Sequence, residues 1–297
     1  MGAKVMVFAP APLLTVTVEQ VGDAAELHLH AGGQGLWQAR MLVALGVDVT
    51  FCAALGGEVG RVLEPLITAE GVRLNAVRRP DDSGWYVHDR RDGERTVVAE
   101  ESGAPLGRHE LDELYTVALA EGLTADLSIL SGPADPGLVE PDMYHRLATD
   151  LAGNGGKVAA DLTGEQLDAV LDGAPLFVKV SDEEIGDTDP ADALRELHER
   201  GAGTVVVSRA EQPALALVDG EALRVRVPRL EVADHHGAGD SLVAGMAAVL
   251  AGGGSMRDAI RAGAAAGALN VTRHGLGTGR ADAIAALAER VELEPLP

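Results

Sequence analysis

The sequence predicts an α/β fold, a doubly wound and mostly parallel sheet with helices on both faces, and three observations carry that prediction. Short apolar runs bounded by Gly, Pro or Asp alternate with longer amphipathic segments, the rhythm of buried parallel strands and crossover helices. Aromatic residues are only 3% of the chain, and Ala, Gly, Val and Leu dominate, which suits small-sided helices packed on a sheet. With 46% hydrophobic residues in 297, the chain has apolar surface enough for one large core, and residues 1–297 are read as a single folding unit.

The strands are expected at 3–8, 47–55, 125–130, 157–162, 175–180, 203–208 and 213–218, with 222–227 as a polar-alternating hairpin partner. Helices are expected near 35–45, 58–70, 107–121, 140–153, 165–172 and 191–200, and two Ala-rich helices at 240–251 and 257–270. Two stretches, 13–31 and 84–99, instead alternate apolar and polar residues, the second around an Asp92-Gly93 turn. They read as antiparallel hairpins with one solvated face. Such a β flap on an α/β core serves as a lid over a site or as a dimer surface.

Charge narrows the functions. Lys and Arg total 24 against 46 Asp and Glu, a formal charge of −22. That field repels phosphate backbones and anionic membranes, so neither nucleic acid nor a membrane is expected as a partner. The single cysteine, Cys52, sits in an apolar run, forms no intrachain disulfide and reads as a core residue in a reducing, cytoplasmic compartment. No stretch reaches the ~18 apolar residues of a membrane span, and the apolar segment near the N-terminus is too short for a secretory signal.

The segment that carries chemistry is Asp234-His235-His236-Gly237-Ala238-Gly239-Asp240-Ser241, followed by a small-residue helix from Leu242 to Leu250. Gly237 and Gly239 let successive N–H groups converge at a helix N-terminus, an arrangement that holds a phosphate or its developing charge. Asp240 then projects from the first turn, placed to take a proton from a hydroxyl attacking a γ-phosphate. The same residues also fit an ordinary turn with an N-terminal helix carboxylate.

This segment is similar to the C-terminal signature of the ribokinase-like, or phosphofructokinase B, sugar kinases. The match extends through Ala31 to Arg40, Leu45-Gly46-Val47, Leu55 to Gly60, Glu101-Ser102-Gly103, Ser131 to Gly137, Asp161, Lys179 to Glu184, Val205 to Ser208 and Gly275 to Gly279, in the family's order. It resembles most the 1-phosphofructokinase and tagatose-6-phosphate kinase branch. The resemblance implies a three-layer α/β/α ribokinase-like sheet with a small β-flap lid, and a kinase that uses ATP and Mg²⁺. It implies Asp240 as catalytic base, with the N–H groups of Gly237, Ala238 and Gly239 as the anion hole. Glu184 takes the acidic position that orders Mg²⁺, although Ser181 stands where the family has Asn. Read from the residues alone, Ser181 to Glu184 is an acidic helix N-terminus with a cap. The nucleotide is assigned to Ser208, Arg209, Asp234, Gly267, Asn270, Gly275 and Gly277, with Pro213 where the family has a glycine; Arg209 also reads as a solvated loop charge.

The acceptor side departs from the family. Its Asn-Pro-Ala-x-Asp segment is here Ala9-Pro10-Ala11-Pro12-Leu13, the Lys and Asn of Gly-Gly-Lys-Gly-x-Asn become Gln34 and Trp37 after Gly33, and a second phosphate-binding Arg aligns with Asp82. Each lost charge-assisted contact is worth roughly 1.5–3 kcal/mol, so together they argue against a sugar phosphate as acceptor. Acceptor contacts are assigned to Leu13, Gly33, Gln34, Trp37, Ser131 and Asp135. Trp37 reads equally as a helix residue packed under the flap, and Asp135 as a turn residue. His28 and His30 share one strand face, without a third ligand for zinc. His235 and His236 precede the anion hole, and Trp85 and His88 are placed to line the site or to form a dimer clasp.

The expected function is therefore ATP- and Mg²⁺-dependent phosphorylation of a hydroxyl on a small, sugar-like acceptor other than a hexose phosphate, with the flap as a lid or as the surface of a homodimer. Two rivals stand beside it. One is a catalytically silent ligand-binding relative; the other is a sugar-phosphate kinase that grips phosphate through Arg40, or through Arg90 and Arg91.

Overall fold

The structure is a computed structural model and describes residues 2–210, 212–231, 236–272 and 276–296. In chain order the elements begin with β1 (Lys4–Phe8), β2 (Leu13–Val21), β3 (Ala24–Gly32), α1 (Gln34–Ala44), β4 (Asp48–Gly56), α2 (Gly57–Ala69), β5 (Arg73–Arg79), β6 (Ser83–Asp89) and β7 (Thr96–Gly103). They continue with α3 (Arg108–Gly122), β8 (Leu127–Ser131), α4 (Pro141–Gly153), β9 (Val158–Asp161), α5 (Gly164–Leu171), β10 (Phe177–Ser181), α6 (Pro190–Glu199) and β11 (Thr204–Ser208). The last are β12 (Ala214–Val218), β13 (Glu221–Arg226), α7 (Ala238–Ala251), α8 (Met256–Asn270), α9 (Ala281–Ala288) and β14 (Glu292–Pro295).

A ten-stranded sheet runs in the order β14-β13-β12-β11-β10-β9-β8-β1-β4-β5. Its strands from β11 to β5 are parallel, and β12, β13 and β14 extend it antiparallel. The parallel strands are apolar on both faces because helices cover both. In β1, Val5 and Val7 enter the core under α1, α2, α7 and α8, while Met6 and Phe8 enter the opposite core under α3 to α6. This is the expected three-layer fold. The chain leaves β1 toward β4 on one side and returns to β8 on the other, so the order reverses between β1 and β8, the place where such sheets bind ligands at the strands' carboxyl ends.

The flap is a second sheet, β3-β2-β6-β7. The two expected hairpins are present, and a parallel β2 to β6 pairing joins them into one surface. Leu14 and Ala31 are buried where the flap meets the core, whereas Leu27 and Val98 at its far end are 63% and 62% exposed. Three elements lie outside the sequence expectation: β5, α9 and β14. Among the described residues, no helix is long and apolar enough to cross a membrane.

Candidate active site

Strand register assembles the chemistry. Ser131 pairs with Asp161 across β8 and β9, and Asp161 with Lys179 across β9 and β10, so polar residues of three neighbouring strands form one row. The preceding residues Leu130, Ala160 and Val178 all enter the core on the α3 to α6 side. Alternation therefore turns Ser131, Asp161 and Lys179 toward α1 and α7. Lys179 Nζ lies 3.3 Å from Asp161 Oδ1 and 3.9 Å from Glu184 Oε2. From α1, Gln38 Nε2 donates to Asp161 Oδ2 at 2.7 Å, and one turn earlier Gln34 Nε2 donates to the Asp161 carbonyl at 2.7 Å.

Opposite this row stands the N-terminus of α7. Gly237 is its N-cap in the left-handed region, φ 74°, which a glycine adopts without the cost of a Cβ. The backbone thus turns so that the N–H groups of the first helical residues are left without intrahelical partners. Gly239 meets the ammonium of Lys179: a Cβ there would lie 2.8 Å from Nζ. Gly267 of α8 gives similar clearance, since a Cβ would lie 2.8 Å from the Ala238 carbonyl oxygen. A helix terminus and a buried cation therefore point into one space, and both favour an anion.

Asp240 is half-buried in the first turn of α7. Burial first, then the nearby Asp161 carboxylate, push its carboxyl up to about 8, with Lys179 opposing them. Burial also raises Asp161, again against Lys179. For Lys179, burial pulls the ammonium down, but Asp161, Glu184 and Asp240 outweigh it and raise the group. Lys179 stays charged among three carboxylates that share its field.

Beside this cluster a cavity of about 610 Å³ opens between the turn after β11, the exit of β13 and the α7/α8 pair. Ser208 and Arg209 line it, and Leu242, Ala264, Ala268 and Val271 give it an apolar wall. An apolar wall next to an anion-attracting helix terminus suits a nucleotide.

The structure brings together Gly237, Ala238, Gly239, Asp240, Lys179, Glu184, Ser208 and Gly267 at this edge. It gives other expected site residues different work. Arg209 lines the cavity but turns its guanidinium onto its own loop, donating to the Pro213 carbonyl and to Gln212. Asn270 is buried and ties two segments, donating to the His236 carbonyl at 2.7 Å and accepting from Thr278 N–H at 3.3 Å. Ser131 is fully buried and donates to Gln38 Oε1. Asp135 accepts from Gly137 N–H at 2.9 Å, the turn role. Glu184 accepts from Ser181 N–H at 2.6 Å while Ser181 Oγ accepts from Glu184 N–H at 3.2 Å. This reciprocal pair closes a turn and not the helix N-terminus expected there. Asp234, His235 and Gly275 lie outside the described residues.

On the acceptor side Gly33 caps α1, and Leu13 is buried over Gly32. Trp37 is half-buried, with its backbone against Gly277. Asp82 Oδ1 accepts from Glu58 N–H at 2.9 Å, so its carboxylate sits at the N-terminus of α2. On the flap, Trp85 packs against the core, and His88 is buried against Arg95 and the Tyr86 ring. Burial, then Arg95, hold His88 below the usual imidazole range. His28 and His30 stack with ring centroids 6.2 Å apart. Sequence reasoning missed the role of Gln38. The available signal was two glutamines one helical turn apart on α1, together with a strand that ends in Asp161 and a lysine, Lys179, inside an otherwise apolar strand.

A doubly wound sheet with a helix N-terminus and buried carboxylates at its carboxyl edge, and a small β flap beside it, is the architecture of the ribokinase-like class. Comparison with known proteins agrees. The pfkB family carbohydrate kinase profile matches residues 2–283. The chain is 32% identical to the 1-phosphofructokinase of Haloferax volcanii over 262 residues, 85% of this chain and 82% of that protein. It superposes on Escherichia coli phosphofructokinase-2 in complex with fructose-6-phosphate with a TM-score of 0.81 and 25% identity, covering 97% of this chain and 99% of that one. A possible 1-phosphofructokinase of Thermotoga maritima, 18% identical, shares the fold with a TM-score of 0.85 over 99% of this chain and all of its own. The chain belongs to the pfkB family of carbohydrate kinases, enzymes that transfer a phosphoryl group to a hydroxyl.

Proposed function

We propose that the enzyme transfers the γ-phosphoryl group of ATP to a hydroxyl of an unphosphorylated, sugar-like acceptor. One observation carries this reading: the three arginines that offer an alternative grip on a second phosphate are each paired with a carboxylate of the protein. Arg40 forks onto Glu70, Arg91 pairs with Asp89 at 2.6 Å, and Arg90 lies 3.6 Å from Glu19. Gln34, in the family's lysine position, donates to a backbone carbonyl and carries no charge.

In the reaction Asp240 accepts the proton as the acceptor oxygen attacks the γ-phosphorus, and the bond to the bridging β–γ oxygen breaks, releasing ADP. The N–H groups from Gly237 to Gly239 receive the charge that spreads over the transferring group. Lys179, fixed by Asp161, adds a cation beneath that hole. The donor set suits a magnesium ion held chiefly by nucleotide phosphates and water: Glu184 offers one carboxylate, and among the described residues no three side chains form a metal cage. Magnesium, when bound, neutralises the phosphate oxygens. The flap excludes water. Its exposed Leu27 and Leu29 lie on one face of β3, and we assign that face to a second copy of the chain.

The test is ADP release from Mg·ATP over matched phosphorylated and unphosphorylated sugars, polyols and nucleosides, with Asp240→Asn as blank. Turnover on unphosphorylated members, reduced about 10²- to 10⁴-fold by Asp240→Asn in a folded protein, is expected. A second reading has its own support, because the relatives named above are phosphofructokinases. Turnover confined to fructose or tagatose phosphates would establish it. Nucleotide binding without turnover on any compound would favour a binding protein.

A further inference from the structure

Arg40 stands in the middle of α1 with its guanidinium fully engaged. Nε and Nη2 donate to Glu70 Oε2 and Oε1 at 2.8 and 2.5 Å, and Nη1 donates to the Leu276 carbonyl at 2.8 Å. Glu70 is the C-cap residue of α2, and the paired side chains are 22% and 26% exposed. A two-pronged pair this shielded fixes direction as well as distance. Leu276 lies against the anion hole: a Cβ on Gly237 would come within 3.1 Å of Leu276 Cδ2. The next residue, Gly277, has φ 67° and leaves no room for a side chain, because a Cβ would lie 2.3 Å from the Trp37 carbonyl oxygen. From the other side Asn270 holds both Thr278 N–H and the His236 carbonyl. Residues 276–278 are thus wedged between α1 and the turn that begins α7.

We propose that Arg40, itself held by Glu70, is a positioning residue for phosphoryl transfer: it fixes the 276–278 segment against Gly237 and so sets the direction of the N–H groups in the hole. The inference rests on the assignment of that hole to the γ-phosphoryl group. Arg40 touches neither substrate, and it acts through Leu276. The same helix carries Gln34 and Gln38 to Asp161, so α1 holds the Ser131, Asp161 and Lys179 row and the 276–278 segment in one frame. Displacing a reacting group by about 1 Å can cost 10²-fold in rate, which makes such a strut consequential.

Calorimetric titration with Mg·ATP and with Mg·ADP separates this role from general stabilisation, because only ATP carries the group that reaches the hole. Arg40→Ala is expected to weaken ATP about tenfold and to leave ADP within twofold. Arg40→Lys keeps the charge without the fork and should fall between, and Glu70→Gln should reproduce part of the ATP loss. These two milder variants carry the test where circular dichroism shows Arg40→Ala unfolded. Equal losses for both nucleotides, or no loss, overturn the role. A wild-type enzyme that binds ATP and ADP alike would remove the hole assignment itself, and the positioning role with it, a failure recognisable before any variant is made.

Discussion

The proposed nucleotide side of the cleft and the proposed acceptor side use their polar groups in opposite ways. Around Lys179, three carboxylates and an ammonium crowd beside a helix terminus whose N–H groups face open space. Under the flap, Gln34, Asp82 and Asp135 each close a bond within the protein, and Leu13 and Trp37 add apolar surface. The difference follows from what each side must do. Moving a phosphoryl group requires charge held in place against its own solvation, whatever the acceptor, whereas acceptor recognition can be rewritten one side chain at a time.

The strongest way to break this contrast is to remove the cation. The Asp161 side chain is only 3% exposed, and Lys179→Met leaves its carboxylate without a counter-charge. Breaking a buried pair from one side costs about 3–5 kcal/mol, and replacing both partners by apolar groups costs far less. Urea unfolding should therefore show a large loss for Lys179→Met and substantial recovery on adding Asp161→Leu. On the flap, Arg91→Ala removes an exposed pair and should leave unfolding unchanged. Equal effects at the two places would erase the distinction.

A pH series sharpens it further. As the proposed base Asp240 must be ionised to accept a proton, and in the free enzyme its carboxyl is pushed up to about 8 by burial and by Asp161. The kcat/KM should then rise about tenfold per pH unit below 8 and level off above it. Stability runs the other way. Between an unfolded value of about 3.9 and the folded value near 8, the folded state holds a proton that the unfolded chain has lost, so this group lowers stability as pH rises. Asp240→Asn should flatten that slope. A rate already level at pH 6 would show that Asp240 is ionised in the free enzyme.

Much of the contrast was legible in the sequence, and the reasons differ by element. The parallel strands announce themselves as apolar runs because both faces are buried, as at Val178 and Val205 to Val207. Strand β5, Arg-Leu-Asn-Ala-Val-Arg-Arg, does not, because an edge strand carries charges that discourage further pairing. Gly237 to Asp240 is local, so the spacing reveals it. The Ser131, Asp161 and Lys179 row is not local: it exists only through the register of β8, β9 and β10 and the approach of α1. Likewise, nothing in the sequence around Asn270 or Arg209 says that their side chains turn inward to hold a loop.

Asp82 offers the smallest effect and the most direct check on the acceptor side. As a residue facing a substrate, its charge would repel a phosphate; in the structure its carboxylate instead receives Glu58 N–H from across the flap junction. It supplies the cap that Gly56, the N-cap residue of α2, cannot provide from a side chain. Losing such a cap costs about 1 kcal/mol. Asp82→Ala should therefore lower stability slightly and leave the acceptor KM unchanged, while Asp82→Asn, which keeps an accepting oxygen, should lose less. If Asp82→Ala instead opens turnover on a sugar phosphate, the carboxylate belongs to the acceptor pocket, and its repulsion discriminates against a phosphorylated acceptor.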